Sequence, residues 1–92
     1  PYADVNPVCL PLPASPHIAA AEAGVRIEVA PLRAAAQRLA AAADWLLVEG
    51  AGGWHAPIGE RETMAEVARA LGLPVLLVVG LRLGCLNHAQ LT

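Results

Sequence analysis

A short apolar run that ends in one carboxylate and then in glycines is the feature that most constrains the fold of this chain. Residues 45–48 are wholly apolar, Glu49 follows, and Gly50, Gly52 and Gly53 come directly after it. Because such a run between an acid and glycines is typical of a buried parallel strand, we expect Glu49 at the carboxyl end of that strand. Open α/β sheets bind their ligands at that edge. A carboxylate held there, beside backbone that a ligand can approach closely, suits a magnesium–nucleotide site.

The same order of elements recurs further along the chain. A second apolar and β-branched run, residues 74–79, leads into another glycine-bounded loop, residues 80–84, and the sequence from Cys85 onward is typical of a helix. Apolar periodicity and helix signals predict further helices over residues 16–23, 32–43 and 64–70, with Thr63 as a cap. The predicted fold class is therefore α/β, with a βαβ crossover, parallel strands and both glycine loops on one side of the sheet.

The first part of the chain lacks these patterns. Prolines recur through residues 1–16, where they remove backbone donors and disfavour helix in the residues before them, so we expect an extended connector. Residues 25–29 alternate weakly and predict a brief extended piece.

Composition excludes several classes of protein. All six basic residues are arginine, so the chain cannot carry a Walker A loop, which needs a lysine. The net charge of −2 and the scattered arginines argue against nucleic-acid binding. No apolar run reaches the roughly 18 residues that a membrane-spanning helix needs, and no signal peptide is visible, so we expect a cytoplasmic protein. Cys9 and Cys85 lack C-x-x-C spacing, which favours reduced thiols.

The length and hydrophobicity of this chain indicate that it is part of a longer protein. A 92-residue chain that is 57% hydrophobic and begins with Pro1 is expected to be cut from a longer protein. Some of its apolar surface is then expected to meet neighbours outside these residues.

Each candidate residue also has a plainer interpretation. Glu49 alone could be a solvated acid at a strand end, although three nearby glycines favour a phosphate site. Residues 84–87 begin a helix whose free N–H groups suit a carboxylate or phosphate, but an ordinary strand-to-helix turn has the same pattern. His17, His55 and His88 show no metal spacing and are expected to be structural or exposed. Cys85 has no histidine base placed beside it by sequence, and Ser15 is most simply a helix cap.

Three blocks of sequence resemble the ATP-dependent dethiobiotin synthases of biotin biosynthesis. The first block runs Asp44-Trp45-x-Leu47-Val48-Glu49-Gly50-Ala51-Gly52-Gly53-Trp54-x-x-Pro57. The second runs Leu73-Pro74-Val75-x-Leu77-Val78-Val79-Gly80-x-x-Leu83-Gly84-Cys85-x-Asn87-His88. The third is Val5-Asn6-Pro7 followed by Ser15-Pro16-His17-Ile18. The spacing between the blocks also resembles that of the family, so the resemblance covers nearly all 92 residues, and the first two blocks are highly specific.

The resemblance implies a P-loop NTPase-like parallel sheet flanked by helices, and a homodimer. It implies a cyclo-ligase that forms the ureido ring of dethiobiotin from 7,8-diaminononanoate, CO2 and ATP, with Mg2+. Glu49 is then a magnesium ligand, and the nucleotide-contacting residues are Glu49, Gly50, Ala51 and Gly52. The residues that hold the substrate carboxylate across the dimer interface are Gly84, Cys85, Leu86 and Asn87.

The resemblance also implies what these 92 residues lack. The phosphate loop, the active-site lysines and a magnesium-binding aspartate are expected before Pro1, and the adenine-binding residues after Thr92. Residues 1–92 are thus expected to be the central part of one domain, with no catalytic residue of their own and no activity in isolation. Two alternatives share the strand–Glu–Gly arrangement: a related P-loop amidotransferase or cobyrinate-type synthase domain, and a non-enzymatic nucleotide switch.

Overall fold

Helices form all of the regular structure of this chain beyond a single β-bridge. The computed structural model describes residues 1–92. Its five helices are α1 (Tyr2–Val5), α2 (Pro16–Glu22), α3 (Val29–Ala42), α4 (Met64–Leu71) and α5 (Cys85–Leu91). Helix α3 packs against both α1 and α4. None of the helices combines the length and the apolar character needed to cross a membrane.

Four of the helices confirm predictions from sequence, with small shifts at their ends. Helices α2, α4 and α5 begin at the predicted residues, and Gly72 ends α4 in the left-handed conformation, with φ 65°. Helix α3 begins at Val29, three residues before the predicted start, so the expected extended piece over residues 25–29 is shortened from its end. Pro31 lies within the first turn of α3, where its missing N–H would have no helical acceptor in any case.

Helix α4 begins with a complete capping box. The backbone N–H and the hydroxyl of Thr63 both donate to Glu66 Oε2, at 2.7 and 2.6 Å, and Thr63 Oγ1 accepts from the N–H of Ala65 at 3.3 Å. Glu66 also pairs with Arg69 one turn later. These bonds satisfy donors that the first turn of a helix leaves without partners, so they fix the residue at which α4 begins.

Helix α1 is the element that the sequence pattern missed. It is a single turn within the proline-rich segment predicted to be extended, and it ends before Asn6, whose φ of −133° and ψ of 79° lie outside the helical region that a residue before proline avoids. A tertiary contact supports it, because the guanidinium of Arg38 on α3 donates from Nε to Asp4 Oδ1 at 3.0 Å and also from Nη2. This contact holds the pKa of Asp4 below its usual value. An ion pair between residues 34 positions apart leaves no local sequence signal.

The two segments predicted to be parallel strands form no strand. None of the 37 backbone–backbone hydrogen bonds involves residues 44–52 or 73–81. Their large side chains lie in solvent, with Trp45 93% and Val78 85% exposed. A strand exists through its ladder to a neighbouring strand, and neither segment has such a neighbour among these residues. The expected βαβ sheet is therefore not formed here.

The hydrophobic core is small and lies between α2, α4 and the turn after the glycine loop. It is a cluster of four buried side chains, Ala20, Ile27, Ile58 and Val67. Val8, Leu10, Val29, Leu32, Met64 and Leu71 pack around it. Burying one side chain of the size of isoleucine stabilises a fold by about 1.5–3 kcal/mol. This core therefore fixes the turn at Ile58 against α4.

We expect Thr63→Ala to destabilise the chain by about 1 kcal/mol, because it removes both the hydroxyl that donates to Glu66 and the acceptor for Ala65. Urea denaturation followed by far-ultraviolet circular dichroism measures the change. Thr63→Ser keeps the hydroxyl and is expected to stay close to wild type. An equal loss in both variants would contradict the role of the hydroxyl.

The capping box is also expected to make stability depend on pH. The two donors on Thr63, and to a lesser extent Arg69, lower the pKa of Glu66 from its ordinary value of 4.5. A lowered folded-state pKa means that the stabilisation is fully present above the unfolded pKa and is lost as the pH falls through the folded one. The stability difference between wild type and Glu66→Gln should therefore be largest near neutral pH and shrink in acid. The exposed Glu60, changed to Gln, is the control, and a difference independent of pH would contradict the assignment.

Candidate functional site

The loop that follows Glu49 adopts a backbone conformation that only glycine takes up readily. Gly52 and Gly53 have φ of 83° and 108°, in the left-handed region. Gly52 is restricted by space as well as by its φ, because a Cβ added there would lie 2.9 Å from Cβ of Ala56. The loop therefore exposes backbone where any other residue would place a side chain.

Backbone hydrogen bonds hold the end of this loop between two helices. Ala56 N–H donates to Gly53 O at 3.1 Å and closes the turn, while Met64 N–H at the start of α4 donates to Ala56 O at 2.9 Å. His17 N–H in the first turn of α2 donates to Pro57 O at 3.3 Å. The next residue, Ile58, is buried in the core. The loop thus begins in a segment without backbone hydrogen bonds and ends in a segment held by several of them.

Glu49 stands at the open side of this loop with its carboxylate free. The residue is exposed and takes part in none of the side-chain hydrogen bonds or ion pairs of the chain. It lies at the rim of a cavity of about 520 Å3, lined mostly by apolar side chains that include Met64. Gly50 beside it is held closely, since an added Cβ would come within 3.1 Å of Met64 Cε. Both oxygens of Glu49 are available to a ligand.

Glu49 has the donor chemistry of a magnesium ligand but is one ligand only. Mg2+ takes oxygen donors and is commonly bound by one or two protein carboxylates together with water and substrate phosphates. No cluster of three or more His, Cys, Asp or Glu side chains in this chain could hold a metal ion. A free carboxylate beside a glycine loop therefore fits one position in such a site, with the other donors coming from elsewhere.

The second candidate segment, Gly84 to Asn87, forms the start of α5. Gly84 is its N-cap with φ 93°, and no side chain caps the helix. The N–H of Cys85 is already engaged, because it donates to Arg82 O at 3.0 Å. The N–H groups of Leu86 and Asn87 have no backbone acceptor, so these two carry the anion-binding capacity predicted for the whole segment.

The structure does not bring the two candidate segments into one cavity. A second cavity, of about 830 Å3, lies beside the glycine loop. Its lining includes Ser15, Gly52, Gly53 and His55, and from α5 it includes the last residue, Leu91, together with Thr92. A seven-residue helix is about 10 Å long, so residues 84–87 lie at the other end of α5. Glu49 lines the first cavity, and none of residues 84–87 lines either cavity.

The remaining candidates separate into one specific contact and several exposed groups. His55 and His88 are exposed, and Cys85 is half-buried. Ser15 and His17, given only a structural role from sequence, share a hydrogen bond of 3.1 Å between Oγ and Nδ1. Sequence reasoning missed that His17 also bonds to the end of the glycine loop. The only signal is the Ser-Pro-His motif itself, which does not say what it contacts.

A protein family described as AAA domain matches residues 1–92 of this chain. The most similar relatives include ATP-dependent dethiobiotin synthetases. The protein from Aromatoleum aromaticum is 58% identical over 88 residues, which are 96% of this chain and 39% of the relative. The protein from Pseudomonas paraeruginosa is 53% identical over 92 residues, 99% of this chain and 40% of the relative. The protein from Xanthomonas oryzae pv. oryzae is 50% identical over 91 residues, which are 99% of this chain and 41% of the relative.

These similarities confirm the resemblance seen in the three sequence blocks. The chain spans about two fifths of the length of the relatives it matches. The matched stretches, at 50–58% identity, cover 96–99% of this chain.

Proposed function

Because the chain belongs to the AAA domain family, a P-loop NTPase-type family, we propose that these 92 residues are the central part of an ATP-dependent dethiobiotin synthetase. The reaction of the whole protein is ring closure of 7,8-diaminononanoate with CO2 and ATP to give dethiobiotin. The three relatives described above carry the name of this enzyme, which favours it over an amidotransferase, a cobyrinate-type synthase or a nucleotide switch.

The observation that carries this proposal is the free carboxylate of Glu49 next to a loop in which side chains are excluded. Glu49 has no partner within the chain, and Gly52 cannot accept a Cβ without a clash with Ala56. A phosphate chain needs both features, a charge that binds its cation and backbone that it can approach closely. Neither feature stabilises this chain by itself, so a ligand is the simplest reason for them.

Glu49 is the proposed magnesium ligand, and residues 50–52 are the proposed contact with the nucleotide. When bound, Mg2+ neutralises charge on the phosphates during phosphoryl transfer. The contribution of this chain is position, because hydrogen bonds from α2 and α4 hold the end of the loop in one place. Preorganised groups lower a barrier since they need no rearrangement during the reaction.

The proposed chemistry has three balanced steps. One amine of the diamine adds to CO2 and loses a proton to give a carbamate. The carbamate oxygen then takes the γ-phosphoryl group, which gives a mixed anhydride and ADP. Finally the second amine attacks the carbamate carbon and loses a proton, phosphate leaves, and the ureido ring closes. The catalytic lysines lie outside residues 1–92 in this proposal, so these residues bind and orient the reactants.

Gly84 to Asn87 are the proposed site for the substrate carboxylate, in a homodimer. The free N–H groups of Leu86 and Asn87 suit an anion. A site in which these residues and the glycine loop belong to different subunits agrees with the absence of residues 84–87 from both cavities beside the loop. The exposed apolar side chains near α5, Leu83 and Leu86, suit a protein interface.

We further propose that residues 45–48 and 74–79 form parallel strands of a sheet in the whole protein. We expect that protein to be cytoplasmic. Their apolar side chains are exposed in this chain, and the rest of a relative-sized protein would supply the strands that they lack.

Glu49→Gln in the full-length protein is expected to lower the rate of dethiobiotin formation by roughly a hundredfold or more, because a neutral amide binds Mg2+ poorly. Steady-state kinetics over a range of Mg2+ concentrations measures this, with thermal unfolding to show that the fold is kept. Asp44→Asn removes the other acid that flanks the same apolar run and serves as the control. Wild-type turnover by Glu49→Gln would exclude a metal-ligand role.

Asn87→Ala is expected to raise the KM for the diamine by about tenfold while leaving the KM for ATP close to wild type. The substitution keeps the backbone N–H of residue 87 but removes the exposed side-chain amide, which in this proposal donates a further hydrogen bond to the substrate carboxylate and none to ATP. Gln90→Ala, on the same helix and equally exposed, is the matched control. A larger change for ATP than for the diamine would assign Asn87 to the nucleotide instead.

A further inference from the structure

We propose that Ser15 and His17 form a positioning pair that sets the conformation of the glycine loop at Gly52, so that His17 influences nucleotide binding without touching the nucleotide. The inference rests on the proposed function, because it gives the loop its ligand. It concerns the Ser-Pro-His motif, which that function leaves without a role.

The first observation is that Ser15 does not use its side chain as a helix cap. Ser15 is the N-cap of α2, yet its hydroxyl accepts no bond from the first turn. An N-cap serine ordinarily accepts a backbone N–H at the second or third helical position. The N–H groups of Ile18 and Ala19 instead donate to the carbonyl oxygen of Ser15, both at 3.0 Å. The hydroxyl is thereby free for His17, whose Nδ1 lies 3.1 Å away.

The second observation is that the main chain of His17 binds the loop directly. Its N–H, which the hydroxyl of Ser15 could have capped, donates to Pro57 O at 3.3 Å. Helix α2 therefore uses a donor of its first turn to bind the end of the glycine loop. The half-buried ring of His17 then restrains Ser15 from the other side of the same turn.

The third observation places this pair next to the restricted glycine. A Cβ added at Gly52 would lie 3.9 Å from Cδ of Pro16, the residue between Ser15 and His17. Ser15 and Pro16 also line the second cavity together with Gly52 and Gly53, whereas His17 does not. The ring of His17 thus contacts Ser15, and the Ser15–Pro16 turn lies beside Gly52.

Helix α2 meets the glycine loop through the backbone of His17 and the ring of Pro16. These contacts therefore act on the position of the loop. A misplacement of about 1 Å in a site that depends on alignment can change a rate by up to roughly a hundredfold. His17 is thus a positioning residue, and its loss should affect the ligand of residues 50–52 but not that of residues 84–87.

The test uses the full-length protein and three variants. His17→Phe keeps a ring of similar size but removes Nδ1, His17→Asn restores a polar atom near the same place, and Ser15→Ala removes the partner. His55→Phe, on the loop but exposed, is the control. We expect His17→Phe to lower kcat/KM for ATP by about tenfold with an unchanged KM for the diamine. We expect His17→Asn to recover most of that loss.

Two further measurements separate a positioning pair from a general structural role. The double variant Ser15→Ala/His17→Phe should lose little more kcat/KM for ATP than either single variant, because both substitutions break the same contact. Nuclear magnetic resonance of the backbone amides of the ligand-free protein should show shifts at Gly52 and Gly53 in both variants. Because Ser15 does not cap α2, Ser15→Ala keeps the fold even where His17→Phe lowers the melting temperature.

Distinct results overturn the two proposals. A wild-type kcat/KM for ATP in His17→Phe, no recovery in His17→Asn, additive losses, or unmoved amides at Gly52 and Gly53 would each overturn the positioning pair. A wild-type protein that makes no dethiobiotin would instead overturn the proposed function, and the amide shifts would still decide whether the pair sets the loop.

Discussion

Three backbone hydrogen bonds around residues 56–58 support the arrangement of everything near the candidate site. The N–H of His17 donates to Pro57 O, the N–H of Met64 donates to Ala56 O, and the N–H of Ile58 donates to Glu62 O. Each joins a different part of the chain to the segment after the glycine loop, and the burial of Ile58 anchors the same segment in the core. Without these bonds only the burial of Ile58 would hold the glycine loop relative to α2 and α4, because the segment before the loop makes no backbone hydrogen bond.

The character of the site follows from this asymmetry. The end of the glycine loop is held by neighbours on both sides, and that close packing is why Gly52 has no room for a side chain. The beginning, at Glu49, is exposed and has no partner. Such an arrangement combines a rigid backbone surface with a free charge, which a phosphate and its cation both require. The start of α5 lies in a separate region, so a site that uses both segments needs either a second subunit or the remaining part of the protein.

The helices could be predicted because their signals are local. Pro16 after Ser15, Thr63 before Met64, and Gly72 in a left-handed conformation each act within one turn, so the short stretch around them determines where the helix begins or ends. Helix α3 begins at Val29, three residues before the start predicted at residue 32, because the first turn of a helix accepts Pro31. Helix α1 and its ion pair from Arg38 to Asp4 were not predictable, because that contact joins residues far apart in sequence.

Residue types and their spacing give the chemistry available within residues 1–92: a carboxylate at position 49, glycines at 50, 52 and 53, no lysine, and a family resemblance that the relatives confirm. These are properties of residue type and spacing, and they need no contacts. Only the tertiary structure decided that residues 45–48 and 74–79 form no strands here and that His17 bonds to the end of the glycine loop. The physical reason is the same in both cases. A hydrogen bond between distant segments depends on which partner is present and close, and an apolar run or a Ser-Pro-His motif carries no record of its partner.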